Sequence, residues 1–176
     1  MSTLEFLTWL QNTPVAHAVS KSDHLVGAAL QVVHVLGFVL LLAALLLASL
    51  RVLGLAFGRQ PAADITGDAL PLIWWGLAAA AVSGALMFVS APTLYFYKPV
   101  FIAKLLLLAA AVAVQALLFG RVSGGARRVS ASAAPSAATS ASADVAPSPA
   151  LARAVAVLSL ALWFAVAAAG RAIGFA

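Results

Sequence analysis

The chain has 176 residues, 64% of them hydrophobic and 9% charged, with a formal net charge of +5. Soluble domains hold roughly 45–50% apolar and about 25% charged residues, so this composition excludes an ordinary soluble fold and points to a bilayer. The pI of about 10.5 does not indicate nucleic acid, because the basic residues are scattered at the ends of apolar runs.

No cysteine is present, which excludes disulfides, iron–sulfur clusters and thiolate metal sites. The N-terminus has no basic start, its first lysine being Lys21, so a cleaved signal peptide is not expected. The length suits one bundle.

Residues 1–22 form the first segment. Ser2 and Glu5 have capping-box spacing. Glu5, Thr8, Gln11 and Asn12 gather on one side of a helical wheel, with Phe6, Leu7, Trp9 and Leu10 opposite. That pattern predicts an interfacial amphipathic helix, which Pro14 breaks or restarts. Ser20 or Ser22 is then placed to cap the next helix.

Residues 23–122 hold three predicted spans. The first runs from about Leu25 to Leu50, is almost wholly apolar, and carries Gln31 and His34, with His24 just before it. At 1.5 Å per residue it is roughly 39 Å long, enough to cross a roughly 30 Å hydrocarbon core with some tilt. Arg51 and Arg59 follow, with Gly54, Gly58 and Pro61 marking a loop. Thr66 or Asp68 is the expected cap of the second span, about Leu70 to Val89, with Pro71 in its first turn. Ala91-Pro92 ends that span, and Tyr95, Phe96, Tyr97 and Lys98 read as an interfacial belt. The third span covers about Val100 to Phe119 and contains Lys104 and Gln115.

Residues 123–150 are dominated by Ala, Ser and Pro, too poor in apolar bulk to repay ordering, and read as a flexible linker. Residues 151–176 hold the fourth span, about Leu151 to Ala169, closed by Gly170-Arg171. The expected fold is thus all-α: a polytopic four-helix transmembrane bundle with an N-terminal interfacial helix. Arg51, Arg59, Arg121, Arg127, Arg128 and Arg153 fall on one side, and Lys21, Lys98 and Arg171 on the other. The positive-inside rule then puts the linker in the cytoplasm and both termini on the outer, periplasmic side.

Polar residues inside a span are costly and usually face the bundle interior. Gly27, Gln31, His34 and Phe38 share one helical stripe, and Lys104, Leu108, Ala111 and Gln115 another. Gly76, Ala80, Ser83, Met87 and Ser90 form a mostly small third stripe. The plain reading is a packing seam in which His34 bonds Gln115 or a backbone carbonyl. The sharper reading makes His34 the axial ligand of a b-type haem that carries electrons. Met87 is then the candidate second ligand, and Lys104 and Arg171 hold the propionates. Gly27, Gly37, Gly76 and Gly84 would give the ring its room. Copper is the competing metal, with His24, His34 and Met87 as steps along a path. His24 and His34, about 15 Å apart on one helix, cannot grip a single ion. A third alternative is a partner subunit without a cofactor, associating with another membrane protein or with itself. All five acids lie outside the spans and no hydrolase or phosphate-loop motif is present, so a soluble-style enzyme and a carboxylate proton relay are not expected.

Several short motifs occur in order: S-D-H-L at 22–25, Q-V-V-H-V-L-G-F at 31–38, S-L-R-V-L-G at 49–54, S-G-A-L-M-F at 83–88, F-I-A-K-L at 101–105, then Trp163 and G-R-A-I at 170–173. The pattern resembles an uncharacterised family of bacterial inner-membrane proteins, whose members read H-V-L-G, D-L-R-L-L-G, T-G-x-L-F, F-x-x-K and G-R across about four spans. The resemblance covers nearly the whole chain except the linker and implies the inner membrane and the multi-span fold, with no biochemical role attached. Ser49 stands where that family has an aspartate, and His24 where it more often has an aromatic residue. The arrangement also loosely resembles b-type cytochromes and copper-resistance membrane subunits, at the level of fold alone.

Overall fold

The computed structural model describes residues 2–22, 24–132 and 149–174, and every regular element in them is helical. In chain order the helices are α1 Thr3–Gln11, α2 Pro14–Ser20, α3 His24–Leu53, α4 Ala62–Ser90, α5 Pro92–Phe96, α6 Pro99–Ser132 and α7 Pro149–Ala172. Four of them (α3, α4, α6 within Pro99–Leu117, and α7) are long and apolar enough to cross a membrane. The protein is therefore a four-span helical membrane protein.

The bundle is built as two pairs. α3 lies along α4 and α6 along α7; α7 also touches α3, whereas α4 and α6 meet in few places. Small residues set the tighter pair. A Cβ on Gly76 would stand 2.7 Å from the Gly37 carbonyl oxygen and from the Leu41 nitrogen, and one on Gly37 would stand 2.9 Å from the Ala80 nitrogen. The two backbones touch there, the close approach that small residues permit between membrane helices. Leu41, Ala44 and Leu45 continue this seam downward and, with Ala111, Trp163 and Val166, form the buried core. Phe38 leans on Trp163, ring centroids 6.2 Å apart, which joins α3 to α7. The many exposed leucines and valines of the spans are what a lipid-facing surface requires.

The end at which α3 begins and α4 stops is here termed the upper end. α1 rests on α5 and α2 on α4 at that end. Ser2 and Glu5 form the expected capping box. Leu7 is buried under α1 while Leu4, Phe6 and Trp9 stay exposed. Thr13 caps α2, with Pro14 at its first position. Ser20 and Ser22 turn back to donate to the carbonyls of His17 and Val19, so they close α2 rather than open α3.

Two helix boundaries differ from expectation. α4 begins eight residues before Leu70, after Pro61, with no side-chain cap. Thr66 is consequently buried inside the helix, and Pro71 sits in its interior rather than its first turn. A proline there forgoes one backbone bond, a loss the packing of a long apolar helix can absorb. α6 runs on to Ser132, carrying the helix into the first third of the 123–150 segment. Residues 133–148 of that segment lie outside the described residues.

At the lower end α3 closes on Gly54, whose φ of 78° is left-handed. The Gly54 N–H donates to the Arg51 carbonyl and the Leu55 N–H reaches back to Leu50, which satisfies the last carbonyls of the helix. Arg51 then holds the loop by donating from Nε to the Gln60 carbonyl at 2.7 Å. Beside it, Ser49 is buried, a neutral side chain in the core.

Candidate functional site

His34 projects from α3 against the upper half of α4. Its Nδ1 lies 2.7 Å from the Ala80 carbonyl oxygen and 3.3 Å from the Ser83 hydroxyl. A carbonyl can only accept, so Nδ1 carries the proton and donates. Ser83 in turn donates to the Ala79 carbonyl at 2.6 Å and so presents its oxygen, not its proton, to the imidazole. The ring is left with Nε2 as its lone-pair nitrogen, directed away from Ala80. Gly84 supplies the seat: a Cβ there would stand 2.9 Å from the imidazole Cε1 and 3.2 Å from Nδ1. Of the two partners the plain reading allowed, the backbone carbonyl is therefore the one used, and Gln115 is not.

Lys104 projects from the second turn of α6. Its side chain is half-buried and lies on α7, with Cε and Nζ each 3.5 Å from where a Cβ on Gly170 would be. Two glycines on different helices thus seat two polar side chains: Gly84 the imidazole and Gly170 the ammonium stem. Arg171, next along α7, is exposed in the last helical turn, where a cation complements the helix dipole. Its guanidinium folds back, Nη1 standing 3.7 Å from the Cβ position of Gly174. Lys98 fixes this corner by donating to the Ile173 carbonyl at 3.3 Å, tying the start of α6 to the end of α7.

The remaining residues singled out in the sequence separate from this centre to differing degrees. Met87 is half-buried, one turn of α4 beyond Gly84 and on the stripe it shares with Ala80 and Ser83. His24 is the first residue of α3, exposed, and about 15 Å along the axis from His34. Gln31 is exposed and Gly27 has nothing within 4 Å, so neither belongs to the polar centre. Among the described residues no three of His, Cys, Asp and Glu group as a metal cage.

A second polar node lies deeper. Ser159, fully buried on α7, donates to Gln115 Oε1 on α6. One turn along α7 from Ser159, Trp163 is 1% exposed and its indole N–H has no hydrogen-bond partner among the described residues.

No family model, curated protein or solved structure matches the chain.

The chemistry of the centre must accordingly be read from its own atoms. An imidazole whose Nδ1–H is tied to a backbone carbonyl presents Nε2 in the fixed orientation that metal-bound histidines use. The donor atom thus fits a haem iron. The room does not come from where it was expected: Gly37 and Gly76 are consumed by the crossing of α3 and α4, and Gly84 by the imidazole itself. Sequence reasoning missed Gly170 as the seat of Lys104 and the Ala80 carbonyl as the partner of His34. The glycine preceding Arg171 and the Ser83-Gly84 pair were the available signals.

Proposed function

We propose that this protein is an integral membrane electron carrier that binds one b-type haem through Nε2 of His34. The observation that carries the reading is the 2.7 Å bond from Nδ1 to the Ala80 carbonyl, which fixes the tautomer needed for an Nε2 ligand. Haem, when bound, supplies a reversible one-electron couple. The chain's own residues do the rest. Ala80 and Ser83 orient the imidazole, and Gly84 lets it lie against α4. Lys104 and Arg171 bring positive charge to the propionate end, and Met87, one turn above Gly84, is the candidate second ligand. The apolar spans keep water from the iron. We place the protein in the bacterial inner membrane with both termini on the outer side, from its distribution of arginines and lysines.

The test is optical. Protein purified in detergent from haem-replete cells is expected to show a Soret band that His34→Ala abolishes and His24→Ala leaves intact. A colourless wild-type preparation that also fails to take up added hemin refutes the assignment.

A further inference from the structure

α4 carries two tryptophans that the bundle does not use. Ile73, Gly76, Ala80 and Ser83 mark its buried face, whereas Trp74 and Trp75 turn outward and are 54% and 72% exposed. Their depth is unusual for the residue. Asp68 is the last charged residue of α4, and the two tryptophans lie six and seven residues beyond it, roughly 9–10 Å further into the membrane. Gly76, the next residue, meets Gly37 about halfway along α3. Tryptophan belongs at the headgroup level, where its ring and its N–H are both served. Hydrocarbon offers the N–H no acceptor. By contrast, the large apolar side chains that α3 and α6 expose are leucines and valines.

The spacing around the pair is self-matching. Ala78 stands four residues from Trp74 and three from Trp75, so it lies between them on the helix surface, one turn higher. Ala85 returns to that line two turns further on, flanked by Ala81 and Val82 as Ala78 is flanked by the indoles. All of these positions are exposed. A midline of small residues lets two membrane helices approach closely. Two copies of one chain inserted in the same direction pair about an axis along the membrane normal, which sets α4 beside α4 in parallel. About that axis Ala78 meets its own copy and the flanks exchange, so that Trp74 of each chain faces Trp75 of the other. A contact made twice by the same two residues is what an isologous interface requires.

We propose that the outer face of α4 is a homodimer interface, closed by exchanged Trp74–Trp75 contacts over Ala78 and Ala85. An aromatic side chain buries about 150–250 Å², so the exposed fractions of the two indoles amount to about 200–300 Å² per chain. On both chains together that is about half of the roughly 1,000 Å² a specific interface needs, and Val82 and the alanines add to it. The inference is independent of the haem assignment, because His34 bonds to the buried face of α4.

The chain has no cysteine, so single cysteines can report the contact. The full chain is reconstituted in liposomes of phosphatidylethanolamine and phosphatidylglycerol and oxidised with lipid-permeant iodine, each variant being checked for unchanged helix content. Ala78→Cys and Ala85→Cys are expected to give a disulfide-linked dimer. Val32→Cys on α3 and Leu106→Cys on α6, at positions 56% and 68% exposed, are expected to give none. In the Ala78→Cys background, Trp74→Leu with Trp75→Leu should raise the protein-to-lipid ratio for half-maximal cross-linking at least tenfold, whereas Trp74→Phe with Trp75→Phe should leave it nearly unchanged. If neither α4 position cross-links, lipid or another protein covers the face and the inference is wrong. Equal cross-linking at Val32→Cys or Leu106→Cys, which marks random collision, overturns it too, as does a leucine pair that dimerises as well as the tryptophans.

Discussion

Gly76→Ala tests the link between the helix crossing and the polar centre. The added Cβ would lie 2.7 Å from the Gly37 oxygen and the Leu41 nitrogen, both backbone atoms that cannot rotate aside. Ordinary contact starts at 3.4 Å, so α3 and α4 must part by about 0.7 Å at this level. Overpacking of this kind costs about 1–3 kcal/mol. Ala80 is one turn of α4 from Gly76, so the same separation would stretch the His34–Ala80 bond from 2.7 Å to about 3.4 Å, beyond normal N–H···O range. Gly27→Ala is the control, because nothing lies within 4 Å of that position and alanine favours a helix by up to about 1 kcal/mol. Reversible unfolding in mixed detergent–SDS micelles measures the stabilities. The ¹⁵N shifts of the imidazole nitrogens, in a chain with three histidines, report the bond. If Gly76→Ala is as stable as Gly27→Ala and leaves the His34 signals unmoved, the close crossing does not support the centre.

Trp163→Phe keeps most of the buried ring and deletes an N–H that has no partner. Leaving such a donor buried costs about 1–3 kcal/mol, so the variant should unfold within about 1 kcal/mol of wild type or be more stable; a loss above about 3 kcal/mol would mean that the N–H is bound. Ser159→Ala orphans the buried Gln115 oxygen and should destabilise by about 0.6–1.7 kcal/mol, from the mean to the maximum measured for interhelical bonds in membranes. A double-mutant cycle with Gln115→Leu should recover a coupling of similar size, and strictly additive effects would argue against the pair. Ser2→Ala should cost α1 about 1 kcal/mol, read as faster hydrogen exchange at the Glu5 amide.

The sequence alone determined the class of the molecule, because a run of apolar residues as long as that after His24 has one stable arrangement in lipid. It also located the capping box at Ser2 and Glu5, the restart at Pro14 and the approximate limits of four spans, all of which depend on neighbours a few residues away. His34 and Lys104 stood out for the same local reason, as polar groups where solvation is lost. Their relation did not, since the two lie 70 residues apart on helices that form different pairs. Periodicity assigns a residue to a face but not to a partner. Only the tertiary structure decided that His34 would take the Ala80 carbonyl rather than Gln115, and that Gln115 would accept from Ser159. The glycines make the same point: each reads alike in the sequence, yet Gly37 and Gly76 bring two backbones together, Gly84 and Gly170 seat side chains, and Gly27 meets nothing. What a missing Cβ makes room for depends on the helix opposite, which the local sequence does not contain.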